Sequence, residues 1–194
     1  MRFLYSILLF LLVCSCQNKP KETSEKVPAV FVPISSPQLS VLSDTVFMNH
    51  KKFNGYLFDI HPVTKDTLLL EGYHNGLLSG LCRKWFPNQQ LMEERHYKSG
   101  RKQGKQIAYW ENGHKRFEFV AENDAYEGEV KEYDNKGRLF HLAHYKNGQE
   151  EGSQKMWYEN GKIKANYVVK NGKRYGLLGT KNCKNVSDSI FVVK

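Results

Sequence analysis

The stretch Gly152-Ser153-Gln154-Lys155-Met156-Trp157-Tyr158-Glu159-Asn160-Gly161, followed by Lys170-Asn171-Gly172-Lys173-Arg174-Tyr175-Gly176, decides the fold. It carries two turn signals, Asn160-Gly161 and Asn171-Gly172, among short runs rich in aromatic and β-branched residues. Asn-Gly between such runs is a strong local hairpin signal, because a type I′ turn needs positive φ at both central residues. The same spacing returns along the chain. Gly55, Gly80, Gly104, Gly128, Gly152 and Gly176 are separated by one step of 25 residues and four of 24. A fixed period in this range marks a stacked repeat architecture.

Four more columns keep the register. Trp85, Tyr109, Tyr133 and Trp157 form one, and Phe86, Trp110, Asp134 and Tyr158 the next. A turn column reads Gln89, Gly113, Gly137 and Gly161, preceded by Asn88, Asn112, Lys136 and Asn160. A second turn column reads Asn75-Gly76, Ser99-Gly100, Asn123-Asp124, Asn147-Gly148 and Asn171-Gly172. Each unit therefore reads as strand, turn, strand, turn, with Gln106 to Trp110 and Lys115 to Val120 as the strands of one unit. The fold class is all-β: an elongated single-layer antiparallel meander of tandem 24-residue hairpins. At about 4.8 Å per strand, five units make a sheet roughly 50 Å long.

One hairpin is marginal in water, whereas stacked hairpins support one another. The aromatic columns admit two readings. One is a core ladder between repeats. The other is a row of aromatic pockets for a sugar or a quaternary ammonium group. Neighbours on a strand face opposite sides, so one column can be core while the other stays partly exposed. The candidate ligand-facing aromatics are Phe86, Trp110 and Tyr158.

The pattern resembles the MORN-repeat-variant family, including the YwqK-type proteins named as antitoxins. The resemblance covers about residues 53 to 179 and is specific at repeats two, three and five. Repeat four departs at Asp134, and repeat one at Phe58-Asp59, with an extra residue inserted. The resemblance implies a repeat sheet that binds something else, as antitoxin or as membrane-associated scaffold. It carries no functional residues over.

The amino terminus sets an address. Met1-Arg2 is a short basic segment and Phe3 to Val13 an apolar run of eleven residues, too short to span a bilayer and typical of a secretory signal. It ends in Val13-Cys14-Ser15-Cys16, which resembles a bacterial lipobox, with Cys16 as the lipidated residue. Residues 1–16 are thus read as a lipoprotein signal peptide. Residues 17–44, polar and holding Pro20, Pro28, Pro33 and Pro37, are read as a flexible tether. The repeats are placed at 45–182 and a capping tail at 183–194. The expected location is the bacterial cell envelope, lipid-anchored to a membrane and facing the periplasm.

The net charge of +9 is concentrated partly at Arg101-Lys102, Lys105 and Lys115-Arg116. The cluster reads first as a solvated sheet face whose lysines guard against edge pairing. The other reading is attraction to an acidic protein or anionic lipid, with cell wall as a further candidate partner and nucleic acid not expected for an exported lipoprotein. Cys82 reads as a buried small residue. Cys183, flanked by Lys181 and Lys184, reads either as an end-cap residue or as a reactive thiol or soft metal ligand. A Cys82–Cys183 disulfide is not expected, since four repeats, about 38 Å of sheet, separate them.

Neither a cofactor nor a catalytic centre is expected. Gly100 to Lys105 lacks the spacing and the hydroxyl of a phosphate loop. His141 and His144, and likewise Glu93 and Glu94, fall on opposite strand faces. The expected function is a membrane-anchored protein-binding scaffold. The alternatives are an antitoxin or immunity protein, a redox or copper-handling accessory acting through Cys183, and a binder of cell wall or lipid headgroups.

Overall fold

The computed structural model describes residues 26–179. All the regular structure among them is β. The first strands are β1 (Phe31–Pro33), β2 (Leu39–Leu42), β3 (Thr45–Met48), β4 (Lys51–Lys52), β5 (Gly55–Ile60), β6 (Thr67–His74), β7 (Leu77–Leu78) and β8 (Gly80–Trp85). The regular array follows as β9 (Leu91–Lys98), β10 (Arg101–Tyr109), β11 (Lys115–Glu122), β12 (Ala125–Tyr133), β13 (Leu139–Lys146), β14 (Gln149–Trp157), β15 (Ile163–Lys170) and β16 (Lys173–Leu177). From β5 onward each long strand pairs antiparallel with its neighbour in sequence, giving the expected meander in a 13-stranded sheet. β1 adds to one edge in parallel with β5.

The second turn column folds as its residues dictate. Asn75-Gly76, Ser99-Gly100, Asn123-Asp124, Asn147-Gly148 and Asn171-Gly172 all have positive φ at both positions, the type I′ requirement. The other column differs from the expectation of a second I′ turn. Gly113 N–H donates to the Trp110 carbonyl at 2.9 Å and Trp110 N–H to the His114 carbonyl at 2.8 Å. Only Gly113 within that turn has positive φ. This is a type I turn closed by a left-handed residue, the three-residue hairpin loop. Asn112 favours it because its Oδ1 accepts the His114 N–H at 3.2 Å, and Asn88 and Asn160 do the same for Gln90 and Lys162.

Asp134 is explained by this turn. Repeat four has Lys136 in the Asn position, so the bond is supplied from two residues earlier. Asp134 Oδ1 accepts the N–H groups of Lys136 and Arg138, each at 2.9 Å. These backbone bonds, Arg138 first, hold the Asp134 carboxyl below its ordinary range.

The period-defining glycines are not turns. Gly80, Gly104, Gly128 and Gly152 lie within or at the start of strands, with φ between 74° and 86°. The ladder slips at three of them: between Lys102 and Gln106, between Glu118 and Val120 opposite Gly128, and between Ala143 and Tyr145 opposite Gly152. At these three the glycine sits in a β-bulge where three residues oppose one, which puts two extra residues into the strand and bends it. A second slip recurs at the far end of each hairpin, where Met92, Arg116, Phe140 and Lys164 are the extra residues.

The expected core ladder of Trp85, Tyr109, Tyr133 and Trp157 is only half-buried. A sheet one layer thick cannot cover a large ring on both sides. Full burial falls instead to short side chains flanked by taller ones on the same face, namely Ala121, Ala143 and Ala165, and to Gln106 and Gln154. The two glutamines patch the bulges. Gln106 Nε2 donates to the carbonyls of His96 at 2.8 Å and Gly104 at 3.2 Å, and Gln154 Nε2 to His144 at 2.8 Å.

The tether expected at 17–44 is corrected over its second half. β1 and β2 fall inside it, and β2-β3-β4 form a small second sheet. Val32 and Val46 bury with Phe53, Leu57 and Tyr73 in an apolar cluster that closes the first hairpin. Here the Asn75-Gly76 turn docks edge-on. Val46 N–H donates to the Gly76 carbonyl at 2.8 Å, and a Cβ at Gly76 would stand 2.7 Å from the Val46 carbonyl oxygen. These strands make a cap in which β2, β3 and β4 pair locally, whereas β1 joins the large sheet far along the chain, as Phe31 opposite Tyr56. The folded unit thus begins before residue 45. The signal peptide, Cys16, the start of the tether, Cys183 and the tail at 183–194 lie outside the described residues.

Candidate binding face and turn edge

Residues directly opposite on antiparallel strands share a face. One row of opposed residues runs Lys84, Glu93, Ala108, Phe117, Glu132, His141, Met156, Ala165 across eight strands. The neighbouring row on that face holds Cys82, Arg95, Gln106 and Phe119, then Val130, Ala143, Gln154 and Tyr167. Small buried residues form a floor between taller charged and aromatic ones.

The face is ordered by contacts along it. Lys84 Nζ lies 3.6 Å from Glu71 and 3.4 Å from Glu93, and Arg95 Nη2 3.0 Å from Glu93. The Arg95 guanidinium then covers the Phe117 ring at 4.8 Å. From there the rings of Phe117, Phe119, Tyr126 and Tyr145 follow at centroid separations of 5.7, 4.7 and 5.1 Å. Tyr126 is 39% exposed, so this aromatic run reaches solvent. Beyond it Arg174 pairs with Glu150 at 2.9 Å. The run of Phe117, Phe119 and Tyr126 was not legible as a site, because these rings belong to different columns and Tyr126 reaches Phe119 only through the pairing of β11 with β12.

The opposite face is a field of ion pairs: Arg83 with Glu94 at 2.8 Å, Lys115 with Glu118 at 2.8 Å and Lys131 with Glu129 at 2.6 Å. Burial raises the Glu118 carboxyl, but hydrogen bonds from Lys115 and Tyr133 outweigh it and hold it below its usual range. Glu93 and Glu94 therefore serve opposite faces, as expected. So do His141, against Glu132, and His144, against Glu129. Among the described residues no group of three His, Cys, Asp or Glu is placed to hold a metal ion.

Phe86, Trp110 and Tyr158 stand at the turn edge, each opening a type I turn. Two of these rings are engaged by the chain's own cations. The Arg116 guanidinium lies 5.0 Å from the Trp110 ring centre and Lys164 Nζ 5.9 Å from that of Tyr158, the cation in each case being the extra residue of the bulge opposite. Trp110 Nε1 also donates to the Tyr133 carbonyl of the next repeat at 3.0 Å. The basic cluster of repeat three is likewise partly spent inside the molecule, through Lys115 and Arg116.

Cys82 is 4% exposed and its thiol is pushed up to about 12, first by burial. It packs as a small apolar residue, as expected, and is not a thiolate at neutral pH.

No curated protein matches the chain. Residues 126–147 and 150–171 match the family model described as the MORN repeat variant, so these two adjacent units are similar to that repeat.

Proposed function

We propose that the protein is a lipid-anchored envelope protein whose repeat sheet is a scaffold for a protein partner. The observation that supports it most is the single layer. Among the described residues, nothing but the small N-terminal sheet lies over the 13-stranded sheet. An aromatic run that reaches solvent at half-exposed Tyr126 therefore stays open to a partner. Aromatic and arginine side chains on a preorganised surface are the groups that anchor protein interfaces. MORN repeats are often protein- or membrane-lipid-binding modules, which agrees with this reading. The role is one of binding and not of catalysis. The anchor is a lipid on Cys16, and the sheet faces the periplasm.

The test is in-cell photo-crosslinking with the probe at Tyr126 on one face or at Val120 on the other, followed by mass spectrometry. A discrete protein captured from Tyr126 and not from Val120 is expected. A single toxin bound one to one in a salt-sensitive complex would refine the role to immunity, the direction of the YwqK-type resemblance. Recovery of only lipid, wall fragments and abundant bystanders from both probes would end the scaffold reading. Intact mass of the amino-terminal peptide, together with the fractionation of Cys16→Ser, tests the anchor. A soluble wild type refutes it.

A further inference from the structure

We propose that the turn edge between repeats four and five is a receptor slot for an aromatic side chain, tryptophan by shape and donor chemistry, flanked by carboxylates on a partner protein. The proposal rests on the scaffold reading and names the chemistry of its partner.

The slot arises from the one break in the ring column. In repeat three, the Trp110 indole reaches across to the next turn and donates to the Tyr133 carbonyl. One repeat later the corresponding residues are Asp134 and Trp157. Asp134 does not reach across. Its carboxylate is folded into its own turn by the N–H groups of Lys136 and Arg138 and by Arg138 Nε at 2.8 Å. The space that Trp110 fills one unit earlier is open, as a groove of about 760 Å³. Leu139, Phe140, Trp157 and Tyr158 give it apolar walls. Its width is held by Arg138, whose Nη1 donates to the Glu159 carbonyl of the next turn at 2.6 Å. The groove is therefore built before anything enters it, which lowers the ordering cost of binding.

An indole entering as Trp110 does in its own repeat would meet the same partner, the carbonyl of Trp157. A ring without an N–H would fill the space but not make that bond. Charge selects the flanks. Asp134 is already paired with Arg138 at 2.7 Å, whereas Lys136 and Lys162 at the two turns have no ion pair among the described residues. Glu159 also lines the groove, so the two ammonium groups exceed one carboxylate there, and that excess favours carboxylates next to the inserted ring.

The test uses the full chain, labelled with nitrogen-15, and three peptides: acetyl-Glu-Trp-Glu-amide, acetyl-Glu-Ala-Glu-amide and acetyl-Lys-Trp-Lys-amide. The first should shift the amide signals of Trp157, Asn160 and Gly161. The other two should each need at least a tenfold higher concentration. Asp134→Trp supplies the ring from within and should abolish the shifts. Lys136→Glu with Lys162→Glu, both at exposed turn positions, should weaken the first peptide about tenfold while leaving the spectrum of the free protein folded. Equal binding of the Trp and Ala peptides, no shifts at Trp157, or binding unchanged in both variants would overturn the slot. So would a disaccharide that shifts the same signals at lower concentration. In-cell crosslinking at Asn160 separates this failure from that of the scaffold. A partner captured at Tyr126 but not at Asn160 removes the slot and keeps the scaffold, and capture at neither removes both.

Discussion

Gly128→Ala isolates what the repeating glycine does. A Cβ at Gly128 meets nothing within 4 Å, so substitution introduces no clash. Its φ of 74° is left-handed, where a Cβ costs roughly 1–2 kcal/mol through its own backbone. Alanine also stiffens the unfolded chain, which returns about 0.4–1 kcal/mol. The net destabilisation is then about 1 kcal/mol, or roughly 2–4 °C in midpoint for a unit of this size. Gly104 and Gly152 have the same geometry, with only ordinary contacts to His96 at 3.8 Å and His144 at 3.7 Å. Four strands, about 19 Å, separate these two bulges. The double alanine variant should therefore cost the sum of the singles to within about 0.5 kcal/mol. Thermal unfolding followed by circular dichroism measures the midpoint shift, and urea unfolding the free-energy change, with the slope unchanged. At Gly128, asparagine should cost less than alanine and valine more. An alanine variant as stable as the wild type, or an asparagine variant worse than alanine, would refute the bulge account.

Other consequences are checked as directly. The Asp134 carboxyl titrates below the ordinary value of about 3.9. Its folded-state value is depressed, so its contribution is full above that pH and is lost as pH falls through the lower value. NMR of the carboxyl carbon and of the Lys136 and Arg138 amides should show this, and an inflection at or above 3.9 contradicts it. Cys82 should resist N-ethylmaleimide at pH 7.5 in the folded chain and react on denaturation, read by peptide mapping; rapid native labelling at that site would contradict its burial. Asn112→Ala loses the bond to His114 N–H and the 2.6 Å bond from Nδ2 to the Asn135 carbonyl, and should cost about 1–2 kcal/mol in thermal unfolding. Ala143→Leu puts a larger side chain at a position with no exposed surface and should cost about 1–3 kcal/mol. A neutral result there means the floor of the face has room.

The meander was legible because its signals are local. Each type I′ turn and its two flanking strands can be read within one 24-residue window. The bulges were hidden in the same glycines, since a glycine marks a left-handed residue without saying whether it lies in a turn or a strand. The cap formed by β1 to β4 was illegible for the opposite reason. Its strands are only two to four residues long, and its join to the array is not local, since β1 finds β5 only in the folded state. The rings at 86, 110 and 158 were legible as one column but not as residues of the turn edge. Their coverage by Arg116 and Lys164 depends on bulges that displace those cations sideways, which no periodicity reports.

The cap also gives the array a direction. Among the described residues, only the β1 end carries an apolar cluster joining two sheets, and from there each hairpin pairs with the one just before it in sequence. A chain emerging amino terminus first thus lays every new hairpin on a template already in place, with few residues of loop to close. Growth is vectorial, like zipping from a fixed stop. Amide exchange should accordingly be slowest around β5 and β6 and quicken strand by strand toward β16, whose residues are all exposed.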